Sequence, residues 1–129
     1  MFGGSGGYEA GQQLRDFVWV EDVVDVNLHF LEHPEAQGTF NVGTGRAQSF
    51  NDVATSVLNT LEATSKTTAQ WVAEGKIQYI DFPQALVGKY QSYTKADLTN
   101  LTMYGEYNKN FATVEEGVER YVAQLAAAR

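Results

Sequence analysis

Four kinds of group in this sequence could do chemistry: a forked cation beside a glycine-rich stretch, a glycine turn ahead of a helix, a loop tyrosine, and a spaced histidine pair. Arg15 follows a segment in which five of the first eleven residues are glycine, and it opens the run RDFVWV. A guanidinium grips a phosphate through two parallel hydrogen bonds, which an ammonium cannot do. By residue type alone Arg15 is an ordinary surface arginine. Its place lets it reach whatever the glycine-rich loop surrounds. Gly43-Thr44-Gly45 lies between a strand-like run and a helix start, where backbone amides can meet an anion. A tight structural turn uses the same glycines, and composition favours the turn. Tyr90, after Gly88-Lys89, could stack on a ring and donate one hydrogen bond; a packed loop aromatic is the alternative. His29 and His33 have the i, i+4 spacing of a metal pair. No third ligand accompanies them, so no metal is expected.

Other chemistries are excluded by what is missing. The chain has no cysteine, which removes disulfides, thiolate metal sites and cysteine nucleophiles. Neither a G-x-S-x-G elbow nor an identifiable carboxylate dyad is present. Sixteen acidic residues against nine basic ones give a net charge of -7. The basic residues are scattered singly, which suits neither a nucleic acid backbone nor an anionic membrane surface. No apolar run approaches the ~18 residues of a membrane span, and a signal-peptide pattern is absent. The composition is compatible with the cytoplasm, where we expect the protein to work.

The elements that must position these groups can be read from periodicity. At 129 residues and 43% apolar content, one domain or a piece of one is expected. From composition alone the glycine-rich start, residues 1–14, reads as a flexible tail. Residues 15–20 predict a strand, followed by a helix over 21–32 with Val24, Leu28 and Leu31 as its apolar stripe, ended by Pro34. Residues 38–43 predict a short strand. Ser49 and Asp52 form a variant capping box for a helix carrying Val53, Val57 and Leu61. A short helix is expected around 70–74 and a strand over 77–82. Thr94 and Asp97 suggest a cap for a helix containing Leu98 and Leu101, with Gly105 past its end. The last helix has Thr113 and Glu116 as its capping box, with Val114, Val118, Tyr121 or Val122, and Leu125 on one face. This alternation favours an α/β fold. No G-x-G-x-x-G opens a βα unit, so no complete dinucleotide-binding half is expected.

Several strings then converge. Phe2-Gly3-Gly4-Ser5, Arg15-Asp16-Phe17-Val18-Trp19-Val20 with Asp22-Val23, and Phe40-Asn41-Val42-Gly43-Thr44-Gly45 stand in a recognisable order. The chain resembles the C-terminal part of the extended short-chain dehydrogenase/reductase sugar epimerases. Phe82-Pro83, Gly88-Lys89-Tyr90-Gln91 and Ala96-Asp97-Leu98-Thr99 narrow the resemblance to the ADP-heptose 6-epimerase family. The resemblance implies a C-terminal substrate-binding portion of an extended Rossmann-type fold, covering residues 1–129. It implies inversion of a heptose centre in ADP-heptose for lipopolysaccharide core synthesis, with NADP as the cofactor of the full-length enzyme. The substrate positions it implies are Phe2, Gly3, Gly4, Ser5, Arg15 and Tyr90.

The family's glycine-rich cofactor motif, its Tyr-x-x-x-Lys pair and its further lysine base are not in this sequence. We therefore expect no catalytic and no cofactor-binding residues here, no NADP binding and no turnover by this chain alone. A separate cofactor domain and further copies of the chain are the expected partners. Two other readings remain open: a free-standing nucleotide-sugar binding module, and a structural or interaction domain with no small ligand.

Overall fold

The computed structural model describes residues 1–128 and has a mixed α/β architecture. In chain order its elements are β1 (Leu14–Arg15), α1 (Val20–Glu32), β2 (Gln48–Ser49), α2 (Phe50–Glu62), α3 (Thr68–Ala73), α4 (Thr99–Met103) and α5 (Val114–Ala127). A single 3-10 turn, Gln84–Leu86, precedes Tyr90. β1 and β2 pair antiparallel, Leu14 opposite Ser49 and Arg15 opposite Gln48. On its other side Leu14 bridges Tyr93 in parallel, with Leu14 N donating to Ser92 O (2.9 Å) and Thr94 N to Leu14 O (3.1 Å). Arg15 thus leaves the middle strand of a three-stranded patch.

The capped helices form where local signals place them. Ser49 accepts from Asp52 N while Asp52 accepts from Ser49 N, closing a capping box at the start of α2. Thr113 and Glu116 do the same for α5. Such a cap satisfies amides that have no partner inside the helix. α5 packs along α2. Val114 and Gly117 are buried and Val118 and Val122 half-buried, whereas Tyr121 and Leu125 face solvent. α3 is held to α2 by Asn59, whose Oδ1 accepts from Trp71 Nε1 (3.0 Å) and from Lys66 N (3.0 Å). Trp71 is completely buried there. α3 begins two residues before the expected short helix, because Thr67 and Gln70 form a third capping box.

The strands are shorter than their residues suggest. Of residues 15–20 only Arg15 is paired; 16–19 run extended into α1. Asp16 leaves the ladder because its carboxylate gathers amides from two other segments, as described below. Residues 38–43 are also unpaired. They send Phe40 and Val42 into the core beside Val26, Leu101 and Tyr107, and no strand lies alongside to complete a ladder. Of residues 77–82 only Ile80 bridges a neighbour, Phe2, in parallel.

Two helix expectations also need correcting. Thr94 does not cap α4, which starts only at Thr99 with Leu98 at the N-cap; Thr94 N pairs with Leu14 O. Instead Asp97 Oδ1 accepts from Thr99 N (2.9 Å) and Thr99 Oγ1 (2.6 Å), leaving Leu98 at the N-cap. On α1 the stripe of Val24, Leu28 and Leu31 is the solvent face, with Leu31 77% exposed. Val26 and Phe30, on the opposite side, pack into the core.

Candidate functional site

The glycine-rich start is an anchored structure, not a tail. Ile80 N donates to Met1 O (2.8 Å), and Gly3 N donates to Ile80 O (2.7 Å). Residues 1–3 therefore lie alongside 78–80. The chain then reverses at Ser5-Gly6-Gly7-Tyr8, with Ser5 N to Tyr8 O (3.0 Å) and Tyr8 N to Ser5 O (3.1 Å). Both central residues have positive φ, +62° at Gly6 and +82° at Gly7. That is the signature of a type I′ turn, which other residues adopt only with strain.

This anchoring brings Phe2 to Tyr90. The ring of Phe2 meets those of Phe82 (5.5 Å between centroids) and Tyr90 (6.4 Å), and Phe82 meets Tyr90 at 5.3 Å, all edge-to-face. Arg15 reaches the same cluster from β1, with its guanidinium carbon 4.9 Å from the centre of the Tyr90 ring. At that distance the ring quadrupole attracts the cation. Arg15 NH1 donates to Leu14 O (2.9 Å). No carboxylate pairs with Arg15 among the described residues. A half-buried guanidinium on an aromatic face, with donors to spare, is suited to hold an anion. Beside it lies a pocket of about 240 Å³ walled by Met1, Phe2, Gly11, Gln13, Phe50, Ile80 and Tyr90.

Of the six expected substrate positions, Phe2, Arg15 and Tyr90 come together. Gly3 adjoins them, but its amide is engaged by Ile80 and its carbonyl by Gln13 Nε2 (2.9 Å). Ser5 uses both backbone groups in the turn, and Gly4 is exposed just before it. The loop thus spends much of its backbone on its own geometry. Sequence reasoning missed Phe82 and Gln13 as members of the site. Gln13 had a usable signal: side chains alternate along a strand, so residues 13 and 15 share a side.

The other candidate groups are occupied by the fold. Thr44 N and Oγ1 donate to Asp16 Oδ1 (2.7 and 2.6 Å), and Gly45 N donates to Asp16 Oδ2 (3.0 Å). Ala96 N makes a fourth bond to Oδ2 (3.0 Å). Gly43 is needed for this approach, because a Cβ there would stand 2.7 Å from Asp16 Oδ2. The Gly43-Thr44-Gly45 turn does cradle an anion, but the anion is a side chain of the same protein. These amides do not fit a dinucleotide phosphate, and no parallel pair of strands flanks a helix among the described residues. His29 Nε2 contacts Gly105 O (2.7 Å), and His33 Nδ1 contacts His29 O (2.8 Å), with the two rings stacked.

Comparison with known proteins finds related sequences and folds. The model of the NAD dependent epimerase/dehydratase family matches residues 4–43. The solved ADP-L-glycero-D-manno-heptose-6-epimerase of Helicobacter pylori is 28% identical, with a TM-score of 0.63 over 91% of this chain and 31% of that one. An NAD dependent NDP-hexosamine 5,6-dehydratase of tunicamycin biosynthesis, TunA, shares the fold, with 21% identity and a TM-score of 0.61 over 98% of this chain and 35% of that one. The chain spans about a third of the length of these solved relatives, and matches their C-terminal part. The region matched by the family model contains the glycine-rich hairpin and the Arg15 strand, so residues 4–43 are similar to the NAD dependent epimerase/dehydratase family.

Proposed function

We propose that this chain supplies the part of a nucleotide-sugar epimerase that holds the substrate, with residues 1–129 acting as a single binding portion. The observation that carries the reading is Arg15: a guanidinium resting on Tyr90, without a carboxylate partner among the described residues, beside an aromatic pocket. Arg15 would pair with the pyrophosphate, and Phe2 and Tyr90 would form the apolar wall. The substrate we favour is ADP-heptose, on the strength of the quoted motifs and of likeness to the Helicobacter pylori enzyme. In the full-length enzyme NADP supplies the hydride chemistry when bound. This chain's own contribution is to bind and orient the sugar nucleotide, in the cytoplasm, for lipopolysaccharide core synthesis.

The exposed stripe of α1 is where we place the docking of a cofactor-binding portion, or of a second copy in its absence. Contiguous apolar surface of this kind favours association. No helix among the described residues is long and apolar enough to cross a membrane.

Titration with ADP and with an ADP-heptose analogue, followed by calorimetry or NMR, tests the reading. Binding is expected to be weak and to fall about ten- to a hundred-fold in Arg15→Ala, the loss of a charged hydrogen bond. Indifference of ADP affinity to Arg15→Ala would overturn it. With NADP and ADP-heptose supplied, a pure sample of this chain is expected to show no epimerisation, and measurable turnover would refute the assignment to binding alone. A chain that responds to no nucleotide would favour the structural reading, in which the α1 stripe is the working surface.

A further inference from the structure

The pocket beside Phe2 and Tyr90 holds one polar group that the aromatic cluster does not explain. Gln13 is only 2% exposed. Its Nε2 donates to Gly3 O at 2.9 Å. A backbone carbonyl can only accept, so the amino side of the amide must face Gly3 and Oε1 must face away. No protein donor reaches Oε1 among the described residues, while no enclosed side-chain nitrogen or oxygen lacks a partner. Oε1 therefore keeps an opening, and the space that Gln13 lines is this pocket.

The pocket's other lining residues are Met1, Phe2, Gly11, Phe50, Ile80 and Tyr90, so Gln13 brings the one side-chain amide to an otherwise largely apolar slot. At about 240 Å³ the slot lies below the roughly 300–1,000 Å³ of sites that enclose a drug-sized ligand. It has room for one ring system but not for a whole sugar nucleotide. Arg15 stands over Tyr90, a residue of the same wall. We propose that this slot takes the nucleobase, and that Gln13 Oε1 accepts a hydrogen bond from an N–H on the base edge. Gln13 is then the residue that selects the base. The proposal rests on the reading that Arg15 holds the phosphates, and it adds a base determinant to that site. Filling the slot with a ring that lacks a donor would leave Oε1 desolvated and unpaired, which disfavours such a ring.

The test compares two ligands and two variants by NMR titration or equilibrium dialysis. The ligands are ADP and purine riboside 5′-diphosphate, which carries hydrogen where adenine carries its amino group. Wild type is expected to bind ADP roughly three- to ten-fold more tightly, the range for one neutral hydrogen bond. Gln13→Met, similar in shape but without the acceptor, is expected to erase that preference. Arg15→Ala is expected to weaken both ligands and keep their ratio. Equal affinities in wild type, or a preference surviving in Gln13→Met, would overturn the role of Gln13 while leaving that of Arg15 intact. Absence of binding by either ligand would remove the nucleotide reading and this inference with it. If Gln13→Met fails to fold, the wild-type comparison decides.

Discussion

Arg15 and Asp16 are neighbours in sequence with opposite duties. Arg15 keeps its donors available, whereas Asp16 spends four acceptor contacts holding the 44–45 turn and Ala96 together. Asp16→Asn would present an amino group to donors on one side. We expect a loss of about 1–3 kcal/mol, the range for leaving buried hydrogen-bonding groups unsatisfied. A urea unfolding midpoint would measure it, and a midpoint equal to wild type would contradict the structural role given to Asp16. Arg15 is the adjacent residue, so nucleotide affinity should fall as well. The two readings of Gly43-Thr44-Gly45, anion cradle and tight turn, describe one object. What the sequence hid was that the anion lay 28 residues earlier in the chain.

At the level of elements, the helix caps make a pH prediction. Glu116 accepts from Thr113 N at 2.8 Å, and that bond is the main cause of its lowered pKa; desolvation opposes it, and Arg120, the Thr113 hydroxyl and Arg46 each lower it further. Asp97 is lowered too, first by the hydroxyl of Thr99 and then by its amide. A carboxyl whose folded pKa is depressed stabilises the fold above its unfolded value of about 4 and loses that contribution as pH falls through the folded value. Thermal melts of Glu116→Gln should therefore change less than wild type between neutral pH and pH ~3. A parallel decline of both proteins would count against the cap. The caps at Ser49 and Thr113 were legible because a capping box is complete within four residues. The cap at Thr67 uses a glutamine and starts a six-residue helix, and it passed unnoticed. Strands were poorly legible for the opposite reason. Residues 38–43 have strand-forming types, yet a ladder needs a second chain segment that periodicity cannot supply. In the site, the motifs carried Phe2, Arg15 and Tyr90. Gln13 stayed hidden because its significance depends on Gly3, ten residues away, whose carbonyl holds its amide, and on a pocket built from distant segments.

For the whole molecule, the decisive feature is an apolar helix face with nothing of its own to cover it. Val20, Val24, Leu28 and Leu31 are 62%, 49%, 50% and 77% exposed. Spaced by three and four residues, they form one stripe along α1. We expect this 14.3 kDa chain to associate with itself as concentration rises. Leu28→Glu with Leu31→Lys should return it to a monomer in sedimentation without lowering its melting temperature, since neither side chain is in the core. A wild-type chain that stays monomeric at high concentration would exclude self-association through this face.

The pairing of residues 1–3 with 78–80 has a consequence in time. Met1 N reaches Gln78 O across 77 positions of sequence, and Phe2 needs both Phe82 and Tyr90 to complete its cluster. Closing so long a loop is entropically little worse than closing one of half the length, but the partners must first exist. At about 5–20 residues per second of synthesis, the glycine hairpin leaves the ribosome several seconds before its seat is made. The hairpin is thus synthesised before the segment that seats it. A nascent chain arrested before Tyr90 would carry its glycine hairpin untethered.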